Sequence, residues 1–243
     1  MAMHLLETLI SQTPETPVDE VIIGVHSVLV KSGDRAGIAS TIKYCSPTEN
    51  IRCAGALETL NLKELAAYAL SENLLEASVG MAAVNCGLAG RVPQTEALNA
   101  KEVILEKGRN KILGIIGHFP FLEEQRENYG QCYIFEKHPR PGDLNEADIP
   151  EFLPLADVVA ITGTSITNHT FNGILNHLPK KSYNIVLGPS TPLTPLLFER
   201  GIDLVSGVAV EDYETVKKHV LQACPTRHLK GLRMISIMKA GSL

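Results

Sequence analysis

The residues best placed for chemistry follow short apolar runs. The run Gly114-Ile115-Ile116-Gly117 leads directly into His118, whose imidazole titrates near neutral pH and can act as an acid, a base or a metal ligand. In an open parallel sheet, ligands bind beyond the carboxyl ends of the strands. We therefore predict that His118 is a catalytic acid or base, although a histidine that only caps the strand explains the same position.

Glu136 ends the next apolar run, 19 residues after Gly117. An acidic side chain at this place commonly holds a ribose diol, so we predict a catalytic or binding role for Glu136. No GxGxxG motif follows the first run, which argues against ordinary NAD or FAD binding because the pyrophosphate needs close backbone approach. A nucleoside-like ligand such as S-adenosylmethionine stays open.

Two further loops combine glycine with hydroxyl residues. Gly163-Thr164-Ser165, with Asn168 close behind, and Gly188-Pro189-Ser190-Thr191 each precede a predicted helix. Their amides and hydroxyls could bind a phosphate or carboxylate, and helix capping explains the same residues. The residues predicted to bind a ligand are Asn85, Gly117, Phe119, Pro120, Gly163, Thr164, Ser165, Asn168, Gly188, Pro189, Ser190 and Thr191.

A metal site is not predicted. His118, Glu136, His138 and His169 lack the i, i+3 or i, i+4 spacing that places two ligands on one element. The five cysteines form no CxxC pair, and we expect them to be reduced, with Cys86 and Cys132 as small core side chains. The GxSxG, P-loop, HExxH and kinase motifs are absent from the sequence, so the familiar hydrolase and triphosphatase mechanisms have no support.

Charge and hydropathy exclude two classes of partner. A net charge of -5 and a pI near 5.9 give no overall attraction to nucleic acid. No apolar run approaches the roughly 20 residues that span a bilayer, and the first residues lack the pattern of a signal peptide. We expect a compact, soluble, cytoplasmic protein whose partner is a small molecule.

Strand-like and helix-like runs alternate from residue 111 onward, which predicts parallel strands joined by right-handed crossovers with helices on both faces. If the strand order is 3-2-1-4-5, the order reverses between the strands ending at Gly117 and Gly188. The predicted strands are 112–117, 132–136, 157–162, 184–188, 203–210 and 234–239. The predicted helices are 120–127, 145–154, 168–177, 193–200 and 211–222.

The first part of the chain has a different pattern. A helix over 5–11, a hairpin formed by 18–31 and 37–44, and helices over 61–70 and about 71–87 indicate an α+β domain. The charged segment 106–110 reads as a hinge, so we predict domains 1–105 and 106–243. Small residues over 77–83 suit close packing and offer a face for homo-oligomer formation.

These motifs resemble a known family, the putative heavy-metal chelation proteins. The resemblance covers nearly the whole chain and rests on four stretches, which are Ala83-Val84-Asn85, Gly117-His118-Phe119-Pro120-Phe121, Thr162-Gly163-Thr164-Ser165 with Asn168, and Gly188-Pro189-Ser190-Thr191-Pro192. It implies an α/β protein, with a small α+β domain similar to the N-terminal domain of enolase followed by a Rossmann-like doubly wound sheet, and a site in the cleft between them.

The resemblance and the residues together favour an enzyme. It would catalyse condensation or hydrolysis of a pterin-, flavin- or siderophore-like compound linked to heavy-metal chelation, with His118 as acid or base and Glu136 binding a hydroxyl or ring nitrogen. One alternative is a non-catalytic carrier of a metal chelate, and another is a methyltransferase-like protein that binds S-adenosylmethionine. The sequence leaves the cofactor unknown and the oligomeric state open.

Overall fold

The protein's structure, a computed structural model, describes residues 5–42, 50–91 and 99–241. Its α-helices are α1 Leu5–Gln12, α2 Leu62–Ala66, α3 Leu74–Leu88, α4 Ala100–Gly108, α5 Pro120–Glu123, α6 Ile149–Phe152, α7 Thr164–Thr167, α8 Phe171–Leu175 and α9 Tyr213–Leu221. Its strands are β1 Glu20–Ile23, β2 Ser27–Ser32, β3 Arg35–Ser40, β4 Ile112–Ile116, β5 Gln131–Glu136, β6 Leu144–Asn145, β7 Val158–Thr162, β8 Tyr183–Leu187, β9 Leu204–Val210 and β10 Leu232–Met238.

The described residues near the start of the chain form a three-stranded antiparallel sheet, in the order β1-β2-β3. The predicted single hairpin is therefore wrong in one respect, because a turn closed by Gly24 N donating to Ser27 O (3.0 Å) divides its first segment into two strands. The turn between β2 and β3 is confirmed, with Ser32 paired to Arg35. Residues 43 and 44 of the predicted second run lie outside the described residues.

Helices α2 and α3 begin at the capping residues that the sequence predicts. Asn61 Oδ1 accepts from Glu64 N (2.9 Å) while Glu64 Oε2 accepts from Asn61 N (2.8 Å), a capping box. Asn73 caps α3 through the amides of Leu75 and Glu76. After α2 the chain tightens into a 3₁₀ turn over Ala67–Leu70.

Small residues let α3 approach its neighbours at backbone distance. A Cβ on Gly80 would lie 1.9 Å from Ala69 N, and a Cβ on Gly37 of β3 would lie 2.1 Å from Cys86 N of α3. The predicted close packing is therefore confirmed. Ala77 to Ala83 are all fully buried in this packing, so the small-residue face predicted for oligomer formation is already used within the chain.

The large sheet has seven strands in the order β10-β9-β8-β7-β4-β5-β6. The pairs from β6 through β4 to β9 are parallel. The short strand Leu144–Asn145, predicted as the start of a helix, takes the outer place beside β5. As a result the order reverses between β4 and β7, so the predicted reversal beside Gly188 is wrong.

The last strand of the large sheet departs from the parallel pattern. Glu211 N donates to Gly231 O (2.9 Å) and Lys239 N donates to Asp203 O (2.9 Å). Residue numbers rise along one strand as they fall along the other, so β10 runs antiparallel to β9. The predicted α/β fold class is confirmed as a parallel-dominated sheet plus a small antiparallel one, while the finer likenesses to enolase and Rossmann-like domains stay predictions.

Apolar side chains cover both faces of the large sheet. On one face Leu113 and Ile115 of β4 pack with Ile104 of α4 in a fully buried cluster. On the other face a Cβ on Gly114 would lie 2.9 Å from Leu153 Cδ1.

Because α4 extends to Gly108, most of the segment predicted as a hinge is helix instead. The crossovers are shorter than predicted, since most are one helical turn or a 3₁₀ turn.

The chain divides into two compact units. The first comprises Met1–Pro93, Pro189–Thr194 and Gly207–Met234, and the second comprises Gln94–Gly188, Pro195–Ser206 and Ile235–Leu243. The division into domains 1–105 and 106–243 stays a prediction. Across the described residues, no helix has both the length and the apolar character needed to cross a membrane.

Within the first unit, α9 is tied to β1 by a charged cluster. Lys217 Nζ donates to both carboxylate oxygens of Glu20 (2.6 and 2.8 Å), and the Tyr213 hydroxyl donates to Glu20 Oε2 (2.5 Å). Val216 and Val220 of the same helix pack on Ile22 of β1 in an apolar cluster. The hydrogen bonds from Lys217 and Tyr213 hold the pKa of Glu20 below its ordinary value of 4.5.

Gly80→Ala should destabilise the protein by about 3 kcal/mol or more, because a methyl group cannot fit 1.9 Å from the Ala69 backbone. Helix propensity alone would favour alanine by about 1 kcal/mol. Urea unfolding measures the difference. Gly173→Ala in α8 is the matched control, because a Cβ there meets open space and should be neutral or stabilising. Equal effects of the two changes would contradict the close approach.

Glu20→Gln should lower the free energy of unfolding at neutral pH and lose this effect in acid. A folded-state pKa below the ordinary value of 4.5 means that the carboxylate stabilises the fold above that pH, and that the contribution disappears as the pH falls through the folded-state pKa. Lys217, Tyr213 and Lys31 are the residues that face the Glu20 carboxylate. Urea unfolding between pH 7 and pH 3 tests this, and a parent–variant difference that stays constant over the range would refute it.

Candidate functional site

The turn after β4 presents His118 at the carboxyl edge of the sheet. Gly117 has φ +95, a conformation that favours glycine, and its N–H donates to Phe135 O (3.0 Å). A Cβ on Gly117 would lie 3.1 Å from Thr162 Cγ2. The turn is therefore anchored to β5 on one side and packed against the end of β7 on the other.

His118 lies between two carboxylates. Its Nδ1 is 2.6 Å from Glu123 Oε1, and its Nε2 is 3.0 Å from Asp143 Oδ2. A neutral imidazole donates from one nitrogen only, whereas an imidazolium donates from both. A hydrogen bond to each carboxylate requires an N–H on each ring nitrogen, while Arg140 Nη1, which can only donate, also lies 3.4 Å from Nδ1.

The two carboxylates differ in their surroundings. The Asp143 side chain is 6% exposed and Oδ2 also accepts from Arg140 N (2.8 Å). The Glu123 side chain is 29% exposed, and Arg140 Nη1 lies 3.9 Å from its Oε2. Asp143 is thus a buried, fixed partner of the ring. Glu123 is the more exposed partner, and a ligand could replace it at a smaller cost in free energy.

The sequence prediction missed Glu123 and Asp143. Glu123 lies on α5, a single turn that begins at Pro120, so its position five residues after His118 brings it back to the ring. Asp143 ends the turn Arg140-Pro141-Gly142-Asp143, in which Asp143 N donates to Arg140 O (2.9 Å). The proline-glycine turn after β5 was a usable signal, because it predicts a reversal that returns an acid to the sheet edge.

The remaining residues of this loop have smaller roles. Phe119 is half-buried and packs against the core beneath the sheet, and Pro120 is the exposed first residue of α5. Glu136 ends β5 as predicted, partly exposed, with Oε2 accepting from Lys137 N (3.1 Å). His118 bonds to Glu123 and Asp143, and Glu136 bonds to the backbone of Lys137, so the hydrogen bonds of the described residues do not join the two predicted catalytic residues to each other.

Many polar groups of the Gly163 loop form hydrogen bonds with nearby residues of the chain. Ser165 is buried and its hydroxyl donates to Thr162 O (2.7 Å), and Gly163 N donates to Leu187 O (2.9 Å). Asn168 Oδ1 accepts from the amide and the hydroxyl of Thr170 (3.2 and 2.8 Å). Neither α7 nor α8 begins with a side-chain cap, so the capping interpretation is wrong for this loop. The local contacts leave the half-exposed Thr164 as the residue of this loop best placed for a ligand.

The Gly188 loop does not lead into an α-helix. Residues 191–194 are irregular, and the segment that follows is a 3₁₀ turn over Pro195–Arg200. The predicted helix terminus for anion binding is therefore absent. Ser190 is buried and its Oγ accepts from Ser40 N (2.9 Å), while Asn85 Nδ2 donates to Pro189 O (3.3 Å), so this loop is held against β3 and α3 of the first unit.

The donor set does not fit a metal ion held by side chains. Over residues 5–42, 50–91 and 99–241, no three His, Cys, Asp or Glu side chains are arranged to hold one. Both nitrogens of His118 already face carboxylates. Burial raises the pKa of Cys86 to about 12 and raises that of Cys132, so both thiols favour the protonated form in the metal-free protein.

Fold and site define an α/β protein whose parallel-dominated sheet carries a histidine between two carboxylates where its strand order reverses. Models of two domains, DUF364 and DUF4213, each described as Putative heavy-metal chelation, match residues 99–239 and 6–88. The chain therefore belongs to the Putative heavy-metal chelation family, which confirms the resemblance found in its motifs.

Three relatives match nearly the whole chain. The Uncharacterized protein MJ0500 of Methanocaldococcus jannaschii is 27% identical, with 84% of this chain and 82% of that protein covered. A DUF364 protein of unknown function from Desulfitobacterium hafniense DCB-2 has a TM-score of 0.85 at 28% identity, covering 97% of this chain and 98% of its own. Another from Pyrococcus horikoshii has a TM-score of 0.77 at 18% identity, covering 96% and 98%.

Asp143→Asn should lower the free energy of unfolding by about 1–3 kcal/mol, because it weakens a buried charge-assisted hydrogen bond. Glu123→Gln should cost less than about 1 kcal/mol, since that carboxylate is more exposed. Urea unfolding at pH 7 measures both, and Glu127→Gln on the surface of the same loop is the control. A larger cost for Glu123→Gln than for Asp143→Asn would reverse the assignment of the fixed partner.

Proposed function

We propose that the protein is an enzyme that catalyses proton-assisted condensation or hydrolysis of a small chelator-like molecule, such as a pterin-, flavin- or siderophore-like compound. The observation that carries the proposal is the His118 ring, oriented by the buried Asp143 and placed at the carboxyl edge of β4. Parallel α/β proteins bind ligands at such a reversal of strand order. The family's connection with heavy metals then lies in the chelating compound.

His118 is suited to act as a general acid. With Nε2 bonded to Asp143, the ring has a fixed orientation, and Nδ1 faces the more exposed Glu123. A ligand oxygen or nitrogen that takes the place of Glu123 would receive the Nδ1 proton, and Glu123 would stay close enough to accept a proton from water or from the ligand. A positioned acid–base pair of this kind contributes about 10²–10⁴ to a rate.

Other residues at this edge would bind the ligand. Glu136 ends β5, the neighbour of β4, where an acid can accept from a ligand hydroxyl or ring N–H. Thr164 follows β7, the neighbour on the other side, and its side chain is half-exposed. Donors and acceptors therefore flank the His118 turn on both sides, which supports a site for a polar small molecule.

The second candidate function is a carrier that binds a metal chelate without reaction. It is favoured by the same hydrogen bonds, because both ring nitrogens of His118 are already engaged with carboxylates, an arrangement that suits a fixed binding surface as well as proton transfer. The two functions differ in the fate of the bound compound.

The experiment is native mass spectrometry with elemental analysis of the freshly purified full chain, followed by incubation with pterin, flavin and siderophore precursors. We expect an organic mass, with or without a metal, and conversion of one compound detected by liquid chromatography and mass spectrometry. His118→Gln should lower turnover at least 100-fold, and the same change at His177, elsewhere in the second unit, is the control.

The outcomes separate the two functions. Full turnover by the His118→Gln variant would remove His118 from the chemistry and overturn the proposal. A compound that is retained by both proteins and recovered chemically unchanged would instead support the carrier.

A further inference from the structure

The second unit contains a cavity of about 360 Å³. The residues that line it are Leu105, Glu106, Arg109, Gln125 and Asn128. Sites for small molecules have volumes of about 300–1,000 Å³, so this cavity is at the small end of their range. It offers both the space and the accessible polar groups that a small ligand needs.

The cavity lies at the amino ends of β4 and β5. Arg109 comes shortly before β4, and Asn128 comes shortly before β5. Asn110 N donates to Asn128 O (2.9 Å), and an isolated β-bridge pairs Arg109 with Tyr129. Backbone hydrogen bonds therefore fix the two walls of the cavity relative to each other. His118 follows the opposite, carboxyl end of β4, so the cavity is separate from the site described above.

Two opposite charges line the cavity without pairing with each other. Glu106 lies in the last turn of α4 and Arg109 is the residue that caps its end, a spacing at which a carboxylate and a guanidinium often form an ion pair. Among the described residues, neither side chain takes part in an ion pair, and both residues are exposed. Both charges are therefore available to a ligand, and together they cancel.

Two side-chain amides line the cavity opposite the charges. Asn128 Nδ2 donates to Gln125 Oε1 (2.8 Å), which leaves Asn128 Oδ1 as an acceptor and Gln125 Nε2 as a donor among the described residues. If both amides were turned over, the pair would still bond and would still leave one oxygen and one NH₂ group. The cavity thus presents neutral donors and acceptors as well as one charge of each sign.

We propose that this cavity binds a free α-amino acid with an uncharged polar side chain, its carboxylate on Arg109 and its ammonium group on Glu106. A guanidinium can bind a carboxylate through two parallel hydrogen bonds. A ligand with a single charge would be attracted by one of these residues and repelled by the other, whereas a zwitterion satisfies both. The two amides would contact the polar side chain. The inference goes beyond the proposed function and does not depend on it.

The test is isothermal titration calorimetry of the full chain with L-glutamine and two derivatives. N-acetyl-L-glutamine lacks the ammonium charge, and L-glutaminamide lacks the carboxylate. We expect L-glutamine to bind and each derivative to bind at least about tenfold more weakly, because each loses one charge-assisted contact and keeps a charge that the cavity repels.

Two variants assign the contacts. Arg109→Gln should weaken L-glutamine binding at least about tenfold and remove its advantage over L-glutaminamide, and Glu106→Gln should remove its advantage over N-acetyl-L-glutamine. Both residues are exposed, so the Tm of the free protein should hardly change. The matched controls are Lys111→Gln and Glu127→Gln, which remove exposed charges outside the lining of the cavity and should leave the affinity unchanged.

Absence of L-glutamine binding at millimolar concentration would overturn the inference, and so would equal affinity for L-glutamine and both derivatives. Unchanged binding in both Arg109→Gln and Glu106→Gln would also overturn it, because the amino acid would then bind elsewhere. His118→Gln should bind L-glutamine as the parent protein does, and loss of binding there would contradict a separate site. Failure of the proposed chemistry, which is measured by turnover, is therefore distinguishable from failure of this inference.

Discussion

The position of β4 in the large sheet is the constraint on which the candidate site depends. The chain lays β5 and β6 on one side of β4 and then returns to lay β7, β8 and β9 on the other. The loops that leave the strands on the two sides of β4 diverge at its carboxyl end. The turn at Gly117 places His118 between them. The positive φ of Gly117, together with its close approach to Thr162, favours a residue without a side chain at this position.

The carboxylates that hold His118 come from connections with very little regular structure. Glu123 lies on a four-residue helix and Asp143 on a four-residue turn, so their hydrogen bonds to His118 tie two short segments to the turn after β4. The bonds that they make to the ring at 2.6 and 3.0 Å are therefore structural as well as chemical. A ligand that displaced Glu123 would loosen α5, so binding and local order are expected to be linked at this edge.

The sequence predicted the elements with strong periodicity or caps and missed those made by tertiary contacts. The capping box at Asn61 and the strands β4, β5, β7 and β8 follow from local pattern. Strand β6 has two residues and no pattern of its own, so it was assigned to a helix, and this one omission moved the predicted reversal from Gly163 to Gly188. His118 was identified because it follows an apolar strand directly. Its carboxylate partners depend on turn geometry that residue spacing does not reveal.

Buried thiols bear on what heavy-metal chelation means for this chain. A soft metal ion is bound by thiolates, and the pKa of Cys86, raised by burial to about 12, keeps that sulfur protonated and closed within the packing of α3. The His118 cluster has the opposite character, because its carboxylate oxygens are hard ligands and are already paired with the two ring nitrogens. Neither group suits a heavy metal directly. An organic chelator bound by hydrogen bonds requires only donors and acceptors, which this protein does present.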